Sequence, residues 1–316
     1  MRKLILFISL LIGTLSVLIS ESYALPSIKI VVKVLDESGA PISDTKIEAT
    51  FYTGEQVTVN GKTDSNGIYI AKGEGLNFAT ISATKEGYYY SGKVYNFDAN
   101  KVSHDQYQPF PKEITLVLTK VRNPVPMYAF DTDFIKIPEF GKPIGFDLEK
   151  RDWVVPYGKG VISDFIFTAE RKYIDFNNGE ISMILTFSNP KDGIINYNVP
   201  ETNQSIYIWP FEAPLDGYLN KINKWVSSYE DKGFKSNLDK DKSNYIFRIR
   251  TQTDSKGNII STKYGKIRGE IIPTTSGKIC FTYYFNPDGT RNLEFDTKKN
   301  LFKFSYNDSE HNVNRP

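Results

Sequence analysis

Apolar and polar residues alternate in three short segments near the start of the chain, at residues 28–35, 46–52 and 68–70. Alternate residues of a β-strand face opposite sides of a sheet, so this two-residue period predicts strands with one buried face. Gly, Asn, Asp and Pro separate the segments, and these residues favour turns. Short strands joined by such turns are typical of a β-sandwich.

The same pattern continues to residue 121. Further strands are predicted at residues 79–83, 95–97 and 113–118. Pro124 and Pro126 then interrupt the chain, and proline cannot donate a hydrogen bond to a sheet. We therefore predict one domain over residues 25–121 and a proline-containing linker at 122–126. Because this linker is short and stiff, we expect the two domains to touch.

The second predicted domain, residues 127–306, is also rich in short apolar segments broken by turn residues. Its strands are predicted within residues 134–137, 161–170, 180–188, 194–197, 205–209, 245–252, 259–272, 278–285, 293–295 and 301–306. The long strand at 259–272 is expected to bend at Gly265 or Gly269. Residues 307–316 form a polar tail that we expect to be frayed. The fold class is thus mainly β, in two domains.

One segment, residues 216–231, departs from the β pattern. Apolar side chains recur there every three to four positions, which is the period of an amphipathic helix. These side chains are Leu219, Ile222, Val226 and Tyr229, with Tyr218 and Trp225 widening the apolar face. Asp216 is placed to cap the start and Gly233 to end the helix. We predict one long helix here, packed on a sheet.

Four stretches carry a family resemblance: V-x-DESGAPI at 34–42, GKTDSNGIYI at 61–70, ATISATKEGYY at 79–89 and EITLVLTK at 113–120. They resemble a carboxypeptidase-regulatory-like domain, the transthyretin-like member of the prealbumin and carbohydrate-binding-like sandwiches, over residues 26–121. The resemblance implies an accessory module of secreted or surface proteins and transfers no catalytic residue. Residues 151–167 and 285–296 resemble an uncharacterised secreted bacterial family, which implies one second domain and no activity. The expected architecture is a transthyretin-like sandwich followed by an antiparallel sandwich-like domain with one helix.

The first 24 residues have the features of a secretory signal peptide. Arg2 and Lys3 precede an apolar run, and small residues lie before a cleavage point after Ala24. An uncleaved membrane anchor is the alternative, but the run is short for a membrane span. We expect an exported bacterial protein, periplasmic or extracellular, with no transmembrane segment after cleavage. With the signal removed, the net charge of +1 argues against nucleic acid as a partner.

Residues suited to nucleophilic or metal chemistry are scarce. The chain has two histidines, His104 and His311, and one cysteine, Cys280, whose neighbours indicate a buried strand thiol. A serine or cysteine nucleophile needs a base, most often His, and zinc sites usually need several Cys or His. We therefore predict no catalytic residue, no metal site and no cofactor. Residues 64–67 and 254–258 resemble fragments of calcium loops, although hairpin turns explain them equally well.

Paired carboxylates leave a hydrolase open. A glycosidase needs two acidic side chains across a cleft. The tightest clusters of the second domain are Asp131 with Asp133 and Asp147 with Asp152. Turn capping is the commoner role of such residues.

Aromatic side chains provide the candidate ligand site. The candidates are Tyr88, Tyr89, Tyr90, Trp153, Tyr157 and Trp209. Rings projecting from a β-sandwich stack on sugars or bury against a protein partner. Burial in a core or between the domains is the favoured alternative for Trp153, Trp209 and Trp225.

These observations predict an exported, non-enzymatic binding or adhesion protein, with a saccharide or an envelope protein as partner. Carbohydrate is the first ligand hypothesis because of the fold analogy alone. Two alternatives remain: a carbohydrate-active hydrolase that uses carboxylates of the second domain, and a structural component of an envelope or secreted assembly.

Overall fold

The computed structural model describes residues 24–201, 204–240 and 243–316. The predicted signal peptide therefore lies outside the described residues except for Ala24. Within the described part, no helix has the length and apolar character needed to cross a membrane.

Residues 27–118 form two sheets. Their strands are β1 (Ser27–Asp36), β2 (Lys46–Tyr52), β3 (Gln56–Lys62), β4 (Ile68–Glu74), β5 (Phe78–Thr84), β6 (Ser91–Asn96), β7 (Val102–Ser103), β8 (Gln106–Tyr107) and β9 (Lys112–Leu118). One sheet has the order β4-β1-β8-β7, with β9 also paired to β1, and the other has the order β3-β2-β5-β6. Apolar residues at alternate positions, such as Ile30, Val32 and Val34 of β1, fill the space between them.

Residues 125–300 form two larger sheets. Their strands are β10 (Val125–Asp131), β11 (Ile135–Lys136), β12 (Pro143–Asp147), β13 (Asp152–Trp153), β14 (Phe165–Tyr173), β15 (Gly179–Thr186), β16 (Gly193–Asn196), β17 (Lys221–Tyr229), β18 (Gly233–Ser236), β19 (Tyr245–Thr253), β20 (Ile259–Pro273), β21 (Lys278–Asn286) and β22 (Phe295–Asn300). One sheet has the order β16-β19-β20-β21-β10-β22, with β11 on β21, and the other has the order β13-β12-β14-β15-β17-β18. An aromatic core that includes Phe146, Phe165, Phe247 and Phe281 lies between them. The mainly β fold class is confirmed.

The predicted helix at residues 216–231 is wrong. Residues 221–229 are strand β17, which pairs with β15 on one side and β18 on the other. Val226 faces the core and Trp225 faces solvent, so the side chains alternate as in a strand. Gly233, with φ of 70°, follows the turn between β17 and β18 rather than ending a helix. Backbone pairing with β15 and β18 favours a strand in this segment more strongly than its short helical period favours a helix.

The sequence predicted the bend in β20 correctly but missed β3 and wrongly predicted a strand at residues 301–306. Gly269 has φ of 82°, and the pairing of β20 with β21 shifts register between Arg268 and Ile272, so the bend predicted at Gly265 or Gly269 lies at Gly269. Strand β3 was not predicted, because its sequence QVTVNGK is polar and mostly exposed. The strand predicted at residues 301–306 is wrong, because this segment is irregular.

The tail, residues 307–316, is not frayed. A short 3-10 helix, η1 (Tyr306–His311), is followed by an isolated bridge between Asn312 and Phe130. Val313 is buried against Met127, Ala129 and Tyr284. Nδ1 of His311 lies 2.7 Å from the carbonyl oxygen of Asp131. The tail was predicted to fray because its sequence is mostly polar. Burial of the Val313 side chain holds it against the sheet.

Candidate functional site

The junction between the two pairs of sheets contains three of the predicted ligand-binding residues, Tyr88, Tyr89 and Tyr90. Residues 204–206 pair with residues 90–92, at the start of β6, and so extend the β3-β2-β5-β6 sheet beyond its β6 edge. Gly92 N–H donates to the carbonyl of Gln204 at 3.0 Å, and Ile206 N–H donates to the carbonyl of Tyr90 at 2.8 Å. Tyr88 forms an isolated bridge with Lys120. The backbone of Tyr90 therefore links the first pair of sheets to the segment between β16 and β17, whereas the bridge of Tyr88 with Lys120 lies within residues 25–121.

Glu294 is the central residue of this junction and is only 1% exposed. Its Oε1 accepts hydrogen bonds from the Tyr89 hydroxyl at 2.9 Å and from Arg122 N–H at 2.8 Å. Its Oε2 accepts one from Asn123 N–H at 2.6 Å. Burial and the bond to Glu294 raise the pKa of Tyr89. A buried carboxylate is tolerated because three donors replace its water.

A row of stacked rings crosses the same junction. Tyr89 stacks on Tyr207 with centroids 4.9 Å apart, and Tyr207 stacks on Phe211 at the same distance. The Arg122 guanidinium lies 3.6 Å from the centre of the Phe211 ring. Such contacts add to the apolar area that the rings bury. Tyr89 is thus held by a hydrogen bond at its hydroxyl and by stacking on its face.

Trp209 lies beneath this row and is 4% exposed. Together with Tyr284 and Tyr207 it surrounds the side-chain nitrogen of Lys266, whose Nζ lies 4.6 Å to 5.5 Å from the three ring centres. Lys266 Nζ donates to the carbonyl of Leu293 at 2.6 Å. Complete burial lowers the pKa of Lys266 well below its ordinary value, and the charge of Arg268 adds to this effect. Trp209 is therefore a core residue, and neither face of its ring is accessible to a ligand.

Trp153 is also a core residue, 6% exposed, and its Nε1–H donates to the carbonyl of Lys136 at 3.1 Å. The loop that follows it exposes apolar side chains. These are Val155, Tyr157, Val161 and Ile162. Tyr157 is 39% exposed, and its hydroxyl bonds to Glu139.

The carboxylate of Asp147 fixes this loop. Oδ1 accepts from the N–H groups of Glu149 and Lys150, and Oδ2 accepts from those of Val161 and Ile162. Burial acts to raise the pKa of Asp147, but these four donors hold it below the usual value of 3.8. A loop with exposed apolar side chains is thus held in one conformation by a buried acid.

Other carboxylates of the second pair of sheets also have hydrogen-bond partners. Asp152 accepts from the N–H groups of Trp153 and Lys159. Asp164 binds Arg250 through two hydrogen bonds of 2.7 Å and 2.8 Å. Asp131 accepts from Asp133 N–H and from the Thr282 hydroxyl. Three of the four acids in the pairs suggested by the sequence, Asp131, Asp147 and Asp152, therefore serve as turn and sheet acceptors, which does not favour the hydrolase alternative.

A groove of about 510 Å³ beside the junction also holds carboxylates. Glu212 is paired with Arg291, and Asp288 accepts from the backbone and hydroxyl of Thr290. The third carboxylate is the buried Glu294. Each carboxylate in this groove therefore already has a partner from the chain.

Trp225 is the exposed tryptophan that the sequence misplaced. Burial in a core or between the domains was the favoured interpretation for Trp225, and that prediction is wrong. It is 36% exposed on the outer face of the sheet, in one row with Ser182 and Glu170. A shallow groove of about 470 Å³ surrounds it.

Glu294 and Lys266 were missed by sequence reasoning altogether. A usable signal existed for Glu294, since it lies between the apolar residues Leu293 and Phe295 at the end of a turn-rich segment. For Lys266, the long strand β20 contains many charged residues, and nothing distinguishes the buried one locally.

No family model matches this chain, and no curated protein matches it. Among solved structures, 3-chlorocatechol 1,2-dioxygenase from Rhodococcus opacus matches 32% of this chain and 62% of its own, at 14% identity and a TM-score of 0.27. This chain thus covers less than two thirds of the dioxygenase.

Two pilins match over a larger share. The shaft pilin SpaA from Lactobacillus rhamnosus GG matches 75% of this chain and 92% of its own, at 10% identity and a TM-score of 0.23. BcpA, the major pilin subunit of Bacillus cereus, matches 85% and 99%, at 11% identity and 0.24. Likenesses this distant carry no inference about activity or partners.

Proposed function

We propose that this protein is an exported, non-enzymatic structural component of an envelope or secreted assembly, in which two stiffly joined β-sandwich domains act as a spacer. The observation that carries the proposal is the junction at Glu294. Two of its three donors, the N–H groups of Arg122 and Asn123, belong to the predicted linker at 122–126. Strand β10 begins at Val125, inside that linker.

Rigidity follows from the cost of breaking this site. Moving one domain against the other separates the buried carboxylate from its donors, and an unsatisfied buried charge is strongly unfavourable. The Tyr89–Tyr207–Phe211 stack and the backbone pairing at Tyr90 and Ile206 resist the same motion. Domains joined by small polar interfaces move freely by default, whereas this interface contains a buried carboxylate with three donors and a row of stacked rings.

The hydrogen bonds of the carboxylates and the protonated state of the Cys280 thiol support a non-enzymatic role. The carboxylates near Trp153 accept backbone N–H groups or bind Arg250. Burial raises the pKa of Cys280 to about 11, so its thiol is protonated near neutral pH and is a poor nucleophile.

Saccharide binding is a second candidate function, and Trp225 is the observation that favours it. Its ring lies on the outer sheet face with Glu170 and Ser182 in the same row and Glu180 and Ser227 in the next. An exposed indole beside hydrogen-bonding groups suits a sugar ring. In this proposal Trp225, rather than the buried Trp153 or Trp209, is the side chain that stacks on the sugar. Tyr90 and Tyr157 are exposed and remain candidates.

Small-angle X-ray scattering of the purified exported chain at low concentration tests the spacer proposal. We expect one rigid particle whose scattering curve fits a single fixed arrangement of the two pairs of sheets. Glu294→Ala should broaden the distance distribution. A wild-type curve that requires an ensemble of domain orientations would overturn the proposal.

A further inference from the structure

We infer that copies of this protein associate head to tail, with an apolar tip on one copy entering an apolar groove at the opposite end of the next. This inference rests on the proposed structural role, because it names the partner of the spacer as a second copy of the chain.

The apolar tip consists of Tyr173, Ile174, Phe176 and Phe234. Phe176 is 91% exposed, and the other three are each more than half exposed. Tyr173 and Phe234 lie in one row across the sheet, joined through Gly179 and Ser228. Large apolar side chains grouped on a surface mark interaction sites, whereas single exposed ones are normal.

The turn that displays Phe176 is held rigidly. The Asp175 carboxylate accepts from the N–H groups of Asn177 and Asn178 and from the Asn178 side chain. The two asparagine side chains in turn bond to Glu230 on the neighbouring hairpin. Because the turn is already ordered, binding through Phe176 loses little conformational entropy.

The end groove is an apolar depression of about 720 Å³ in the first pair of sheets. Its lining combines the apolar or small residues Ile28, Val57, Gly73 and Phe110 with the charged residues Lys29, Lys72 and Glu74. Val57 faces the groove and is half exposed. The volume lies within the range of about 300–1,000 Å³ found for pockets that enclose small ligands, so it can accept aromatic side chains.

The groove lies at the end of the first domain that is remote from the junction. Strand β1 begins at Ser27 in the groove and runs to Asp36, which pairs with Leu118 just before the linker. Ten residues of strand correspond to roughly 30 Å.

The apolar tip lies at the remote end of the second domain. Strand β21 runs from Lys278 to Asn286, and the Asn286 side chain bonds to Asn292 beside the linker. The turn before Lys278 contacts the tip region, since Arg171 Nε donates to the carbonyl of Thr275 at 2.7 Å. The tip and the groove are therefore at opposite ends of the molecule, which is the arrangement that a head-to-tail contact needs.

Charge favours the same pairing. Lys29 and Lys72 face each other directly on β1 and β4, and neither has an ion-pair partner among the described residues. Like charges in that position are unfavourable. The two turns of the tip carry Asp175, Glu230 and Asp231 against the single Lys232. Acidic turns placed over the two lysines neutralise both groups.

Cysteine cross-linking tests this inference. Phe176→Cys and Val57→Cys are prepared as separate proteins, mixed and treated with a mild oxidant. A heterologous contact predicts a disulfide-linked dimer in the mixture, at least five-fold more than in a control mixture of Phe176→Cys with Ile260→Cys, an exposed position on β20. The native Cys280 thiol contributes little because its pKa is about 11.

Two results would overturn the inference. Cross-linking no greater than in the control mixture shows that the tip does not meet the groove. Equal cross-linking of Phe176→Cys alone shows a symmetric contact between two tips. Either result leaves the spacer proposal standing if scattering at low concentration still shows one rigid particle, so the two failures are distinguishable.

Discussion

The Tyr89 hydroxyl donates a 2.9 Å hydrogen bond to Oε1 of Glu294, a residue 205 positions later in the chain. Tyr89 belongs to the first pair of sheets, and Glu294 precedes the last strand of the second. Through this contact, Tyr89, one of the candidate ligand-binding residues, connects the two pairs of sheets.

Glu294→Ala should lower the free energy of unfolding by about 3–5 kcal/mol, because three buried donors lose their acceptor. Urea denaturation followed by fluorescence measures this change. The control is Glu113→Gln, which alters an exposed acid on β9 and should shift stability by less than about 0.5 kcal/mol. An equally small effect of both changes would show that the junction does not hold the domains together.

Tyr89→Phe should cost about 1–2 kcal/mol, since it removes one of three donors to the carboxylate and keeps the ring stack. The double variant with Glu294→Gln should lose less than the sum of the two single changes, because both act on one interaction. Strict additivity in this cycle would contradict a direct Tyr89–Glu294 contact.

Asp147→Asn should destabilise the chain by about 2–3 kcal/mol, because an amide nitrogen cannot accept from two of the four N–H groups at this site. The pKa of Asp147 is lowered on folding, so its contribution is complete above about pH 3.8 and is lost as pH falls toward the folded pKa. The variant should therefore lose less stability than wild type on acidification through this window. Calorimetry at about pH 3 and pH 5.5 measures the difference.

Asp133→Asn is the matched control for that experiment, since the Asp133 side chain is exposed. The prediction fails if Asp147→Asn and Asp133→Asn have the same melting temperature and the same pH dependence.

Lys266→Met should flatten the pH dependence of stability on the alkaline side. Because the folded pKa of Lys266 lies below 10.5, the unfolded chain holds a proton that the folded chain lacks between the two values. The free energy of unfolding of the wild type therefore rises with pH in this window, by at most about 1.4 kcal/mol per pH unit. Melting temperatures at about pH 7 and pH 9, below the titration of free tyrosine, measure the slope.

The control for this change is Lys93→Met, on the exposed edge strand β6. It should keep the wild-type slope. A wild-type protein whose stability does not increase with pH in this range would show that Lys266 stays charged inside its ring of aromatic side chains.

Trp225→Ala should abolish any saccharide signal on a glycan array and leave the fold intact, because the side chain lies on the outer face of the sheet. Ile260→Ala, an exposed apolar residue elsewhere, should keep the signal. Absence of saccharide binding by the wild type would remove this second candidate function.

The sequence by itself determined the strands whose burial alternates along the chain. Strand β2 has the predicted bounds of 46–52, and the predicted bounds of β5, β9 and β19 agree with the structure within two residues. The reason is that the two-residue period of a strand depends only on residues that are neighbours in sequence. Burial was also the favoured interpretation for Trp153 and Trp209, and both side chains are buried.

The tertiary structure alone decided which sheet each strand joined and what each polar side chain faced. Residues 221–229 have a helical period but became β17, since β15 and β18 offered backbone hydrogen bonds on both sides. Glu294 became the acceptor for Tyr89, Arg122 and Asn123 only when distant segments met. Hydrogen bonds depend on groups far away in sequence, so no local pattern identifies the partners of Glu294, and none distinguishes the buried Lys266 from its charged neighbours.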